Sequence, residues 1–226
     1  LFLARVRDFS PSEIGTTMLV SGLAMFLSAP IAGRLVRLVD LRIPMAIGFA
    51  MCTWSMWIAT NVTSDWGFWQ FASVQAIRGM GVMTGMIAVQ QATMSTLPPA
   101  MVKNASGIVN LSRNVGGAFG LALLNTSLTQ RTAAHYDNLS AGLTAANPQA
   151  QAMMEGLAAR MEAQGVADPM IAAAQTMSRL LQREATTLAF SDSFGLLGIG
   201  CAIAVIIALN ARPARANAGA SGGGGH

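Results

Sequence analysis

Long apolar runs constrain this chain more than any other feature. Five of them, at 14–33, 43–60, 69–94, 105–128 and 188–211, approach or exceed the length that crosses a bilayer, and no acidic residue lies in the middle of any. Roughly 20 apolar residues span a hydrocarbon core of about 30 Å. Inside that core the backbone must satisfy its own hydrogen bonds, which leaves the helix, short of a closed barrel. The expected fold is therefore an all-α membrane protein with five transmembrane helices. Its chemistry should reside in the few polar groups placed among the apolar ones.

Composition supports this reading. Apolar residues make up 53% of the chain and charged residues 11%, against about 25% charged in soluble domains. The 23 glycines and 15 methionines suit helices that pack closely in lipid. The net charge of +4 is spread over connectors, and no basic run interleaved with aromatics points to nucleic acid. Cys52 and Cys201 both fall inside apolar runs and read as small buried hydrophobes. His135 and His226 have no Cys or His at ligand spacing, so neither a metal nor a cofactor is expected. The sequence holds no Ser/His/Asp set and no phosphate-cradling glycine loop. No catalytic residue is assigned, and an enzyme is not expected.

The segment 1–13 reads as the end of a preceding helix and an outward loop. Leu1-Phe2-Leu3-Ala4 is broken by Arg5 and Arg7, unlike a signal peptide, so an N-terminal part is expected upstream. Ser10-Pro11-Ser12-Glu13 is a helix-start signal. Residues 14–130 hold four spans. The loop after the first contains Arg34, Arg37, Asp40 and Arg42; the second opens with Ile43-Pro44, and Pro is tolerated in a first turn. Trp66, Phe68 and Trp69 form an interfacial anchor, and Pro98-Pro99 stops the third span. Residues 131–187 form a long polar insert. It is expected to contain two short amphipathic helices separated at Asp168-Pro169, the first with Met153, Met154, Leu157 and Met161 at helical spacing. The last span, 188–211, precedes a Gly-rich tail at 212–226.

Basic residues in short loops set orientation. Arg34, Arg37, Arg42, Lys103, Arg212 and Arg215 fall on one side, which makes the C terminus cytoplasmic and turns the insert outward.

Arg78, in Ala76-Ile77-Arg78-Gly79-Met80-Gly81, is a costly cation within a span and should face a bundle interior or a watery cavity, unless it snorkels. It is a gating or structural candidate, as are Arg34, Arg37, Asp40 and Arg42. Arg113 lies between Asn110 and Asn114, which share a helix face. With Gln90 and Gln91 these are the candidates for a substrate pathway, although interhelical hydrogen bonding would use the same residues. Gly81-xxx-Gly85 and Gly116-xxx-Gly120 are close-approach spacings, and Ala24, Ser28 and Ala32 form a small-residue stripe. No Asp or Glu lies deep in a span, so a proton relay would belong to the expected upstream part.

Taken in order, Gly33-Arg34-Leu35, Arg78-Gly79-Met80-Gly81, Leu97-Pro98-Pro99, Ala105-Ser106-Gly107 and Arg113-Asn114-Val115-Gly116-Gly117 resemble the C-terminal half of the EmrB/QacA-type drug:proton antiporters. These are fourteen-span members of the major facilitator superfamily. The insert and the tail Gly222-Gly223-Gly224-Gly225-His226 look closest to the EmrB subgroup. One departure is the loop at Arg37 and Asp40, which stand where the superfamily's repeated loop carries an acid and a glycine. The resemblance implies export of hydrophobic or amphipathic toxic compounds by alternating access, with the proton gradient as energy source and no cofactor. It implies the bacterial inner membrane. It also implies as partners the missing N-terminal half, a periplasmic membrane-fusion adapter and an outer-membrane channel. Export of a specific metabolite or siderophore, or a non-transporting membrane scaffold, are the rival readings.

Overall fold

The computed structural model describes residues 10–63, 66–95, 102–142 and 148–211. Among them are six helices and no strand: α1 (Pro11–Leu38), α2 (Arg42–Ala59), α3 (Phe68–Ser95), α4 (Val102–Ala141), α5 (Pro148–Ala163) and α6 (Pro169–Asn210). The segment 1–9, the Pro98-Pro99 stop and the tail at 212–226 lie outside the described residues.

Helix α1 starts where the polar signal places it. Ser10 Oγ accepts from the Glu13 amide at 3.4 Å, and Glu13 Oε2 accepts from the Ser10 amide at 2.8 Å. This reciprocal box satisfies two amides at the helix start that lack intrahelical acceptors, and Pro11 occupies a position that needs no amide hydrogen. The helix then runs past Gly33 to Leu38, so Arg34 and Arg37 ride on its last turns rather than in a loop. The reason is apolar anchoring. Val36 and Leu41, 3% and 1% exposed, pack against Ala88 of α3 and hold the chain on that helix until it turns. The connector that remains is short. Asp40 Oδ1 accepts from the Arg42 amide at 3.1 Å, a side-chain-closed turn that launches α2.

The polar insert departs most from expectation. Its first amphipathic helix is α5, with Met154, Leu157 and Met161 half-buried and Met153 exposed. The second is not a separate element. It continues into the last apolar run as the 42-residue α6, so that helix begins at Pro169 and not at Leu188. Nothing in Gln182-Arg183-Glu184-Ala185-Thr186-Thr187 breaks a helix, and Ala185 and Ala189 are fully buried on either side of the change in polarity. Helix α4 likewise runs on to Ala141. At 42 and 40 residues, α6 and α4 are each about 60 Å long, twice the hydrocarbon thickness. Between α5 and α6 the chain reverses at Gly165, whose φ of 76° is the left-handed region that glycine enters freely. There the Val166 amide donates to the Met161 carbonyl at 3.1 Å.

The helices pack in the spatial order α1, α3, α2, α6, α4, with α5 against α6. Small residues set the closest approach. A Cβ on Gly48 of α2 would lie 2.4 Å from the Gly85 nitrogen and 2.8 Å from the Gly81 oxygen of α3. A Cβ on Gly79 would lie 2.6 Å from the Ser21 oxygen of α1. On α1, Ser28 and Ala32 are buried while Leu19, Leu23, Phe26, Leu27 and Ile31 point outward. That inverted pattern is expected where lipid replaces water. Helices α1, α3 and α6 are long and apolar enough to cross a membrane. The 18-residue α2 and the more polar α4 fall outside that measure, so five spans are not all seen by it.

Candidate functional site

The polar groups singled out within the spans divide into two places along α3. Gln90 and Gln91, near its C-terminal end, are exposed, as are Asn110, Arg113 and Asn114 on α4. Arg113 Nη2 donates to Gln90 Oε1 at 3.4 Å. The bond is long, but its position is informative. Helices α3 and α4 are not neighbours in the packing order, so these two side chains reach towards each other across a gap. Residues 107–126 of α4 are exposed at nearly every position. A polar face of amides and one guanidinium, presented on otherwise apolar helices, can hydrogen-bond organic molecules that carry both polar and apolar groups.

Arg78 lies 12 residues earlier on α3, about 18 Å away along the helix. It is half-buried, and its Nε is buried without a hydrogen-bond partner among the described residues. The structure therefore separates it from the Gln90–Arg113 face.

Arg34 and Arg37 are exposed on the end of α1, and Asp40 closes the turn. Arg42 is half-buried with its Nε unpaired among the described residues. Of the glycine spacings, Gly81 and Gly85 lie against Gly48, whereas a Cβ on Gly116 or Gly120 would meet no atom within 4 Å among the described residues. The close approach expected of that second pair is absent among the described residues, because α4 packs tightly on α6 further along, at Leu128, which joins Ala189 and Phe190 in the core.

One cluster escaped the sequence reading. Asp192 Oδ2 accepts from Arg131 Nη1 at 2.8 Å and lies 2.9 Å from His135 Nε2. It ties α4 to α6 where the apolar run of α6 begins. Beside it, Ser191 Oγ donates to the carbonyl of Thr60, the residue that ends α2, and Tyr136 and Ser178 hydroxyls meet at 3.3 Å. The residues are about 60 positions apart in sequence. A signal existed within α4, since Arg131 and His135 share a face at i, i+4 once the helix is known to continue.

Comparison with known proteins gives a consistent result. The family model of the Major Facilitator Superfamily matches residues 1–123. The colistin resistance protein EmrB of Acinetobacter baumannii is 34% identical over 203 residues, which cover 88% of this chain and 39% of that protein. The multidrug export protein EmrB of Escherichia coli K12 is 29% identical over 161 residues, 69% of this chain and 31% of that protein. The multidrug resistance protein B homolog of Mycobacterium tuberculosis is 30% identical over 136 residues, 57% of this chain and 24% of that protein. The chain thus spans less than two fifths of the length of these curated relatives.

Proposed function

The chain belongs to the major facilitator superfamily, and from that premise we propose that it supplies the C-terminal helices of a proton-coupled multidrug efflux transporter. The transporter exports hydrophobic or amphipathic toxic compounds by alternating access, with the two halves of the carrier rocking about a central site. The observation that carries the reading is the Gln90–Arg113 contact across the gap between α3 and α4, flanked by Asn110 and Asn114. The names of the EmrB relatives, for colistin resistance and multidrug export, support drug efflux.

In this reading α1, α2, α3, α4 and the apolar half of α6 are the five spans, the membrane is the bacterial inner membrane, and the C terminus is cytoplasmic. The other wall of the central site and the proton relay belong to the N-terminal half. The ends of α4 and α6 beyond the apolar runs, with α5, form an outward helical cluster. That cluster is the candidate contact for a membrane-fusion adapter and, through it, an outer-membrane channel.

The test uses the full-length carrier in a drug-sensitive bacterial host. Replacing Gln90, Asn110, Arg113 or Asn114 with Ala should lower drug tolerance without lowering protein abundance. Removing the Arg113 hydrogen bond alone should cost about tenfold in transport, the scale of a hydrogen bond to a charged group. Equal loss of tolerance and abundance would assign these residues to helix packing instead.

A further inference from the structure

A cavity of about 240 Å³ lies between α1, α2, α3 and α6. Its walls are apolar: Met18 from α1, Met56 from α2, Phe190 and Phe194 from α6. The α3 wall supplies two polar side chains, Gln75 and Arg78, one turn apart on the same helix face. Neither is well satisfied. The Gln75 amide donates to Met18 Sδ at 3.3 Å, and a thioether is a weak acceptor. Arg78 Nε is buried and unpartnered, and no carboxylate among the described residues pairs with this guanidinium. The one acid on the adjoining stretch of α6, Asp192, is turned the other way, onto Arg131 and His135. A guanidinium is always charged, so it cannot relieve its burial by losing a proton. An uncompensated charge in apolar surroundings is costly unless something pairs with it.

We propose that this cavity is a binding site for a small amphipathic organic anion. The carboxylate or sulfonate would sit on the Arg78 guanidinium, with the Gln75 amide as a second donor and an aromatic or short alkyl body among the methionines and phenylalanines. Size fits that class. Apolar cavities of about 150 Å³ admit benzene, and pockets for drug-sized ligands start at about 300 Å³. The forked guanidinium selects a planar carboxylate over a point anion. The site is separate from the Gln90–Arg113 face. Its test is a binding measurement that gives an answer whether or not that face carries export.

The experiment uses the full-length natural polypeptide in nanodiscs of neutral phosphatidylcholine, with benzoate, neutral benzamide and inorganic sulfate as probes, read by calorimetric titration and by thermal stabilisation. Saturable benzoate binding is expected, with benzamide and sulfate at least tenfold weaker. Arg78→Gln should abolish the preference for benzoate over benzamide, and Arg78→Lys should keep part of it. Val74→Phe fills the cavity while leaving Arg78 in place, and should weaken benzoate binding at least tenfold. It keeps the test decisive if Arg78→Gln does not fold. Equal response to benzoate and benzamide, or full benzoate binding by Arg78→Gln or Val74→Phe, would overturn the proposal.

Discussion

Glycine spacing is informative at the residue scale, but only in part. Gly81-xxx-Gly85 is readable as a close-approach motif; its partner, Gly48, is not, because it stands in α2 without a matching glycine four residues away. The same spacing at Gly116 and Gly120 meets open space among the described residues. Spacing shows that a helix can be approached, and packing decides whether it is. This yields a contrast between two substitutions. A methyl at Gly48 would fall 2.4 Å from the Gly85 nitrogen, a backbone atom that cannot rotate away. Gly48→Ala should force α2 from α3 and destabilise the protein by about 1–3 kcal/mol, the usual cost of overpacking. Gly22 meets nothing within 4 Å. Gly22→Ala should therefore be neutral or stabilising by up to about 1 kcal/mol, since alanine is the better helix former. Thermal unfolding of both variants in detergent measures the difference, and equal melting temperatures would contradict the α2–α3 contact.

Elements are legible where local chemistry marks their ends. Ser10-Pro11-Ser12-Glu13 announces α1, and the capping box is in place. Ser10→Ala should speed amide exchange in the first turn of α1 about fivefold, the equivalent of one lost cap, with α6 unaffected. The start of α6 is hidden for a physical reason. A rise in polarity marks where a helix leaves lipid, not where it stops, and the stretch from Gln182 to Thr187 contains neither glycine nor proline. Helix continuity also explains why the Arg131–His135–Asp192 cluster is invisible in the sequence: it exists only when α4 extends beyond its apolar run and carries Arg131 and His135 alongside Asp192. Arg131 is 55% exposed and Asp192 32%, so their pairing contributes modestly to overall stability. Its effect should be local. Asp192→Asn should raise amide exchange in residues 131–141 while leaving α1 unchanged, and mass-spectrometric exchange resolves the two regions. Uniform exchange in mutant and parent would remove the cluster's role as a clamp.

For the whole molecule, membrane character and helical class follow from run length and composition, but neighbour order does not. Hydropathy says that a helix faces lipid; it carries no information on which helix stands beside it. The order α1, α3, α2, α6, α4 comes from side-chain fit: Gly48 against Gly85, Ser55 Oγ donating to the Val74 carbonyl at 2.9 Å, and Asp192 on the Arg131 side of α4. This order places α3 and α4 apart, with α2 and α6 between them. The Gln90–Arg113 contact is then a bridge across an open face and not part of a packed interface. A carrier that alternates between two states must change the spacing across its open face more than within its packed pairs. Paired cysteines test this in the full-length carrier. With Cys52 and Cys201 replaced by Ala, Gln90→Cys and Arg113→Cys should be joined by a short bifunctional maleimide, and joining should abolish the reduced efflux that the unjoined protein retains. A second pair within the packed α2–α3 interface, Ser55→Cys with Val74→Cys, should be joined without regard to substrate or proton gradient. Substrate should change the joining of the first pair and leave the second alone. If both pairs respond alike, the α3–α4 face is not where the carrier moves.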